Sequence, residues 1–328
     1  MNKFNVLLLE KNKNHQFVNY TKITENDLMD GDTLVKIDYS TLNYKDALAI
    51  TGKRPIIKKW PMIPGVDFSG TIKKTTSDKF CIGDKVLING YGVGEKHFGG
   101  FAEMARVNSD WLVKIPSSLS SYEAMSIGSA GLTSMLCIME IEKHLKPGVG
   151  KILVTGASGG VGSIAVMILS KLGYYVVASS GKQEEFFLKS LGAKEVIDRK
   201  YFEANNKLLD HQEWNGVIDV VGSKTLASIL PKVYYGGVVI ACGLAQGFDL
   251  QTNMMPFIIR AITLKGVESI NTDIKLKKKA WEKISEYIDN KALNKLTSLI
   301  RFSEIELYSK KLINSEIVGR IVIDTNKS

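Results

Sequence analysis

The chain has 328 residues, 45% of them hydrophobic and 23% charged, which is ordinary for a globular protein and favours two domains. Its net charge of +9 is compatible with phosphorylated or acidic ligands, although solubility alone also explains it. The 3 cysteines lack a Cys-x-x-Cys pair, which argues against a disulfide framework or a thiolate zinc cage. Without a long apolar run or a signal segment, we expect a cytoplasmic protein with no membrane partner.

The sequence up to about residue 120 consists of short β-type runs separated by Gly, Pro, Asn and Asp, among them "TLVKIDYS", "FSGTIKK", "DKVLING", "FAEMARV" and "WLVKIP". This pattern predicts a partly closed antiparallel β domain. Within it, Asn43 and Asp46 have the spacing of a capping box, in which Asn43 caps a short helix and Asp46 bonds back to the cap.

From residue 127 the pattern changes to nearly continuous apolar runs separated by helix-length segments: "KILVT", "YYVVASS", "KEVID", "NGVIDVV" and "GGVVIACG". Such runs are typical of parallel strands that are buried on both faces, so we predict an α/β domain with a doubly wound sheet. The tail after residue 270 begins with a lysine-rich helix, which we expect to present a solvated face rather than bind coenzyme A phosphates or nucleic acid. Its last segment, "GRIVIDT", is β-like and is expected to fold back onto the first domain.

The stretch "VTGASGGVGSIAV" joins the first parallel strand to an amphipathic helix through a glycine-rich turn. A helix that begins among glycines offers unpaired N–H groups and a positive dipole end to an anion. Gly159 allows a pyrophosphate to approach the backbone and Gly162 allows the helix to pack on its strand. We therefore predict dinucleotide binding rather than a purely structural turn. The expected contacts are Ser158, Gly159, Gly160, Val161 and Gly162.

The second strand ends in "ASSGKQ", where NAD-specific sites usually carry an acid about 20 residues past the glycines. Ser180, Gly181 and Lys182 provide a hydroxyl and a cation and no carboxylate, a pattern that selects NADP(H). Arg199, after the third strand, adds a second charge over the adenosine end. The alternative is that Lys182 caps a surface loop and Arg199 is solvated.

Several stretches together are much more specific than the glycine turn: "NYKDALAITGK", "PMIPGVDFSGT", "GYGVGEKHFGGFAEMARV", "VTGASGGVGS", "ACGLAQGF" and "NSEIVGR". They resemble the zinc-free, quinone-oxidoreductase-like branch of the medium-chain dehydrogenase/reductase superfamily, and more narrowly its NADPH-dependent acrylyl-CoA reductase subgroup. The resemblance implies a GroES-like, partly closed β-barrel domain over 1–126 and 269–328, and a Rossmann domain over 127–268. It also implies a homodimer, paired through the edge strand "ITLKGVES".

Zinc alcohol dehydrogenases of the same superfamily have a cysteine in the loop where this chain has "NYKD", and Gly-His-Glu where it has "GVD". A catalytic zinc needs about three N or S ligands, which Asn43, Val66 and Asp67 do not supply. We therefore expect no metal. Without a Lewis acid, reduction of a conjugated alkene becomes more plausible than reduction of a ketone, because hydride addition gives an enolate that hydrogen-bond donors stabilise.

The resemblance also suggests which side chains line the nicotinamide. It places Asn43 and Tyr44 beside the cofactor, and Tyr44, next to Lys45, is the leading proton donor, with solvent as the alternative. Thr133 reaches the nicotinamide side unless it only caps its helix. Leu244 follows the fifth strand at the carboxyl edge of the sheet. Asn314 closes over the cofactor, and Arg320 meets either a phosphate or a carboxylate.

The predicted activity is hydride transfer from NADPH to the β carbon of a short α,β-unsaturated acyl thioester such as acrylyl-CoA. A quinone or enone reductase on the same scaffold is the second possibility. A third is a basic NADPH-binding protein with little turnover that binds RNA or serves a structural role. The sequence has no K/R-G-F/Y strand motif with RNA-stacking aromatics, so we expect no nucleic-acid partner.

Overall fold

The structure is a computed structural model that describes residues 2–13, 15–181, 184–203 and 207–327. The chain divides into two compact units. The first unit contains Met1–Ser129, Ser269–Ser285 and Asn290–Ser328, and the second contains Ala130–Glu268 and Glu286–Asp289.

The first unit begins with β strands and one short helix. These are β1 (Phe4–Asn12), β2 (His15–Ile23), β3 (Thr33–Thr41), α1 (Tyr44–Ile50), β4 (Asp67–Thr75), β5 (Lys85–Asn89), β6 (Met104–Val107) and β7 (Leu112–Lys114). Strands β1 and β2 form a separate antiparallel hairpin. The inward residues of the strands are apolar and fully buried, as in Val35, Ile37 and Phe68, which explains why the β-type runs of the sequence form a sheet over a core.

The next helix, α2 (Ser121–Ile141), carries the chain from the first unit into the second and is interrupted at Gly128 (φ 52°, ψ −157°). It is the one helix among the described residues that is apolar and long enough to cross a membrane, but 78% of its most apolar window is buried inside the structure. A core helix of a soluble protein has this character.

The second unit alternates strands and helices. They are β8 (Lys151–Val154), α3 (Gly160–Lys171), β9 (Tyr175–Ser180), α4 (Glu185–Ser190), β10 (Glu195–Asp198), β11 (Trp214–Asp219), α5 (Ser223–Ile229), β12 (Val233–Ala241), α6 (Met255–Arg260) and β13 (Thr263–Gly266). The strands form a parallel six-stranded sheet in the order β10-β9-β8-β11-β12-β13. This confirms the predicted doubly wound α/β fold, and β13 is an edge strand.

The tail returns to the first unit. It forms α7 (Ile274–Tyr287), α8 (Asn290–Lys295), β14 (Thr297–Arg301), α9 (Ile305–Ile313) and β15 (Arg320–Asp324). Short 3-10 helices span Glu25–Asp27, Ser109–Trp111, Arg199–Phe202, Leu230–Lys232 and Phe302–Glu304. Strand β15 pairs antiparallel with β3, so the first sheet has the order β14-β15-β3-β4-β5-β7, with β6 also on β3. The expected return of the tail to the β domain is confirmed.

Candidate functional site

The glycine-rich turn of the second unit links β8 to α3, and Gly159 is the N-cap of that helix. A Cβ added to Gly162 would lie 2.4 Å from the carbonyl oxygen of Gly156, so only glycine lets α3 pack against the turn. A Cβ on Gly159 would meet only the Gly156 oxygen, at 3.3 Å, and is otherwise open. The first N–H groups of α3 have no partner within their own helix, so this terminus can receive an anionic group.

Hydrogen bonds fix this turn to the neighbouring strand ends. The Ala157 N–H donates to the Ser179 carbonyl (3.0 Å), and the Ser158 and Ser180 hydroxyls are 2.9 Å apart. The Thr155 hydroxyl donates to the buried Asp219 carboxylate (2.6 Å). The turn is therefore held at the carboxyl edge of the parallel sheet, which is where open α/β folds bind ligands.

Of the residues predicted to read the 2′-phosphate, Ser180 ends β9 and Gly181 follows it. Arg199 follows β10, and its side chain packs against Gly181, where an added Cβ would lie 2.4 Å from the arginine Cδ and Nε. Lys182 lies outside the described residues. Asp198, which the sequence analysis did not consider, pairs in register with Ser180 on β9. Its carboxylate accepts the Lys200 N–H (2.9 Å), so this acid caps its own turn beside the cationic Arg199.

In the first unit, Asn43 and Asp46 form part of a buried polar cluster. The Asp46 carboxylate accepts the N–H groups of Asn43 (2.9 Å) and Val66 (3.0 Å), which confirms the back-bond of the capping box. The Asn43 amide donates to Asp46 (3.3 Å) and Asp67 (3.2 Å) and accepts from Arg320 (3.3 Å). Because these contacts use both ends of the amide, Asn43 holds the start of α1 in place.

Arg320 completes this cluster from the far end of the chain. It is 3% exposed and donates to the Ser126 carbonyl (2.9 Å) and the Thr41 hydroxyl (2.8 Å). Asp67 accepts the Ser129 N–H (2.6 Å). A Cβ on Gly128 would lie 2.7 Å from the arginine Nη2. Of the two partners considered for Arg320, the structure therefore has the carboxylate environment and not an exposed phosphate site.

The two carboxyl groups of the cluster compete for one cationic neighbour. Burial, together with the nearby charge of Asp67, raises the pKa of Asp46 to about 7. Burial also raises the pKa of Asp67, while the charge of Arg320 lowers it. Two buried carboxylates near each other are unfavourable, so the pair retains a proton near neutral pH.

Tyr44 is the first residue of α1 and is 43% exposed. Its hydroxyl makes no hydrogen bond within the part of the chain that the structure describes, so it is available to a ligand. The ammonium of Lys45 forms an ion pair with Glu95 and, among the described residues, makes no hydrogen bond to the phenol. The expected help from Lys45 in proton transfer by Tyr44 is therefore not supported by a contact.

The other predicted cofactor contacts, Thr133, Leu244 and Asn314, lie in three different parts of the fold. Thr133 is buried (8% exposed) within α2, past the break at Gly128, so it does not cap the helix. Leu244 follows β12 and is 69% exposed. Asn314 ends α9, and its amide donates to the Glu316 carboxylate (3.1 Å). Contact of any of these with a cofactor stays a prediction.

The side chains at the position of a catalytic zinc do not form a zinc site. Asn43 and Val66 supply no N or S ligand of the kind that zinc prefers. Both oxygens of Asp67 already accept hydrogen bonds, from Asn43 and from the Ser129 N–H. Across residues 2–13, 15–181, 184–203 and 207–327, no group of three or more His, Cys, Asp or Glu side chains could hold a metal ion.

Comparison with known proteins identifies the family. Residues 29–117 match the alcohol dehydrogenase GroES-like domain and residues 160–287 match the zinc-binding dehydrogenase domain. The chain is 38% identical to acrylyl-CoA reductase AcuI of Ruegeria pomeroyi, over 98% of this chain and 99% of that protein.

Two solved structures share the whole fold. YHDH of Escherichia coli K-12, crystallised with bound NADPH, is 46% identical over 98% of this chain and 100% of the other, with a TM-score of 0.95. Bacillus subtilis yhfP, crystallised with NAD bound, is 37% identical over 99% and 100% of the two chains, with a TM-score of 0.94. The chain therefore belongs to the medium-chain dehydrogenase/reductase superfamily, in the branch that contains acrylyl-CoA reductase AcuI.

Proposed function

We propose that the protein is an NADPH-dependent reductase that transfers hydride to the C=C bond of a short α,β-unsaturated acyl thioester of the acrylyl-CoA type. The observation that carries this proposal is its full-length similarity to acrylyl-CoA reductase AcuI and to the NADPH complex of YHDH. The glycine turn and Arg199 beside Gly181 provide the matching features in this chain.

The described residues of the second unit suit the phosphates of NADPH. The N-terminus of α3, opened by Gly159, would hold the pyrophosphate, and Arg199 together with Lys182 would read the 2′-phosphate. The NAD complex of yhfP makes coenzyme preference a separate question. NADPH supplies a hydride to an electron-poor carbon.

In the first unit, Tyr44 would act on the substrate. Hydride addition at the β carbon gives an enolate with negative charge on the thioester oxygen, and a phenol O–H is a donor that can stabilise this oxygen or protonate the enolate at its α carbon. Its exposure and its lack of a partner in the described structure leave the hydroxyl available for this role. The side chains at the zinc position do not suit a metal ion, so we propose that hydrogen bonds, and not a metal, stabilise the enolate.

The proposal is tested by NADPH oxidation with acrylyl-CoA, crotonyl-CoA and quinones, for the wild type and Tyr44→Phe. We expect the highest kcat/KM with acrylyl-CoA. The loss of one transition-state donor should lower kcat in the variant by about 100-fold. Preference for quinones would overturn the thioester assignment, and an unchanged kcat in Tyr44→Phe would leave protonation to solvent.

A quinone or enone reductase is the second candidate function, because the B. subtilis relative is named as a quinone oxidoreductase. The same substrate panel separates the two. The RNA-binding or structural alternative predicts saturable RNA retention in filter binding with no NADPH oxidation by any enoyl substrate. We expect the opposite result.

We further propose that the protein is a cytoplasmic homodimer. Strand β13 leaves one edge of the second sheet unpaired within the chain, and exposed apolar side chains of the adjoining segment include Met254 (62%), Ile258 (70%) and Ile259 (54%). An open edge with an apolar flank favours pairing between two copies. Light scattering should give twice the 36.2 kDa chain mass for the wild type, and a monomer for Ile258→Asp.

A further inference from the structure

A group of cations lies on two segments of the first unit, residues 44–59, which include α1, and residues 92–96. We call this group the cation cluster, and its members are Lys45, Lys53, Arg54, Lys58, Lys59 and Lys96. All of them except the half-buried Lys45 are exposed. Within the described chain, Lys53, Lys59 and Lys96 form no ion pair with a carboxylate. Because these two segments contain only the acids Asp46, which is buried, and Glu95, they carry an excess of positive charge.

Glu95 fixes the members of this cluster relative to Tyr44. Its carboxylate pairs with the ammonium of Lys45, the residue that follows Tyr44. Its backbone oxygen accepts the N–H groups of Lys58 (2.8 Å) and Lys59 (3.3 Å). One residue therefore joins the loop that carries Lys58 and Lys59 to the first turn of α1.

The turn that carries Glu95 and Lys96 is itself rigid. Gly92 and Gly94 have φ values of +78° and +79°, which glycine adopts without strain. The Gly92 carbonyl accepts the Lys96 N–H (2.9 Å), and a Cβ on Gly94 would lie 3.0 Å from the Gly65 backbone. The Lys96 stem lies over Gly92, where an added Cβ would approach its Cε to 2.4 Å. This arrangement fixes the backbone that carries Glu95 and Lys96 before any ligand binds, which lowers the entropic cost of binding.

We propose that the cation cluster binds the diphosphate and 3′-phosphate of a coenzyme A thioester, while the acyl group reaches Tyr44. This inference rests on the proposed reductase function and adds the part of the substrate that the site recognises. The helix α1 has 7 residues and is about 10 Å long, so both of its ends lie within reach of one extended coenzyme A. Phosphates attract lysines as point charges, without the fixed geometry of a bidentate site.

The test compares a full substrate with a truncated one. Lys58→Ser/Lys59→Ser removes two charges and leaves intact the backbone N–H groups that bond to Glu95. For acrylyl-CoA we expect KM to rise about tenfold with little change in kcat, since ground-state binding is lost. KM for the N-acetylcysteamine thioester of acrylate, which has no phosphate, should not change. Added salt should raise the acrylyl-CoA KM more steeply in the wild type than in the variant.

A matched variant controls for overall charge. Lys278→Ser/Lys279→Ser removes two exposed lysines from α7 and should leave every KM near the wild-type value. An unchanged acrylyl-CoA KM in Lys58→Ser/Lys59→Ser would overturn the inference, and so would an equal rise for both thioesters. A rise in the NADPH KM instead would assign the cluster to the coenzyme's phosphates.

Calorimetry with free coenzyme A keeps the inference testable if the wild type reduces no thioester and the proposed function fails. Coenzyme A should bind the wild type about tenfold more tightly than Lys58→Ser/Lys59→Ser, and dephospho-coenzyme A should bind the wild type more weakly than coenzyme A. Equal affinity of the two proteins for coenzyme A would overturn the inference independently of turnover.

Discussion

The glycine turn of the second unit and the buried polar cluster of the first unit are two opposite ways to build a site. In the turn, the missing side chain of Gly159 leaves space beside the first N–H groups of α3, and that of Gly162 lets the helix pack closely against the turn. In the cluster, the ionisable side chains of Asp46, Asp67 and Arg320 are buried. Their hydrogen bonds go to nearby groups of the protein itself, including backbone N–H and carbonyl groups. The turn can bind an anionic group of a ligand, whereas the cluster balances its own buried charges and holds the start of α1 in place.

This difference predicts how each region fails. A buried cluster is costly when one charge is removed, because its partners stay desolvated. A backbone cradle loses its ligand when a methyl group is added, with a smaller effect on the fold. Substitutions in the two regions should therefore separate stability from coenzyme binding.

The largest expected effect is that of Arg320→Met, which leaves the Ser126 carbonyl, the Thr41 hydroxyl and Asp67 without their cationic neighbour. Breaking a buried charge arrangement of this kind costs about 3–5 kcal/mol in the free energy of unfolding, measurable by urea denaturation. Arg301→Met, at an arginine whose side chain is 64% exposed, is the control and should cost less than about 1 kcal/mol. Similar losses in the two variants would show that the cluster is not a unit.

The second effect is a pH dependence of stability. The pKa of Asp46 rises from an unfolded value of about 3.9 to about 7 in the folded protein. The folded state therefore binds more protons between these values, so the free energy of unfolding falls as pH rises from about 4 to 7 and then levels off. From pH 5 to 8 this amounts to on the order of 3 kcal/mol.

Asp46→Asn should remove this slope, because the amide does not ionise, at the cost of about 1 kcal/mol at pH 5 for one lost acceptor. Urea denaturation at pH 5, 6, 7 and 8 measures both quantities. The exposed Asp110→Asn (59% exposed) serves as the reference and should follow the wild-type slope. A variant of Asp46 with the wild-type slope would place the proton elsewhere.

The fold could be predicted from the sequence because its signals are local. The change from punctuated β runs to continuous apolar strands separates the two sheets, and the confirmed strands β8 to β12 each coincide with a quoted run. The glycine turn was also predictable, since the strand, the glycines and the helix are contiguous between Lys151 and Lys171.

The polar cluster and the cation cluster could not be predicted in the same way. Asp46, Asp67 and Arg320 are brought together only when β15 pairs with β3, and nothing in a sequence window reports that pairing. The capping-box spacing predicted only the local part of the cluster, Asn43 and Asp46, and not its contacts with Asp67 and Arg320. Lys277 shows the same limit: the lysines of its helix were expected to form a solvated face, yet Lys277 is buried and donates to the Asn89 carbonyl (2.6 Å).

The third effect compares two glycines of the turn. Gly162→Ala places a methyl group 2.4 Å from the Gly156 oxygen, so α3 must shift. This shift should lower the free energy of unfolding by about 2 kcal/mol and weaken NADPH binding. Gly159→Ala places its methyl group 3.3 Å from the same oxygen, a tight contact that a shift of a few tenths of an ångström relieves. It should therefore lose less stability than Gly162→Ala, under about 1 kcal/mol, while NADPH binding weakens. Urea denaturation and NADPH fluorescence titration separate the two. Equal stability losses would mean that the turn does not have an open side at Gly159.

The smallest effect concerns the charges beyond the cradle, which read the coenzyme rather than hold the turn. Arg199→Ala and Lys182→Asp should leave stability unchanged, since Arg199 is exposed and its side chain lies over Gly181 at the surface. Loss of a cation near the 2′-phosphate should weaken NADPH about tenfold in Arg199→Ala and more in Lys182→Asp, where a repulsive charge is added. NADH, which lacks that phosphate, should bind each variant nearly as it binds the wild type. Parallel titrations with the two coenzymes decide the matter: an equal loss for NADPH and NADH would show that these cations support the adenosine end generally and do not distinguish the coenzymes.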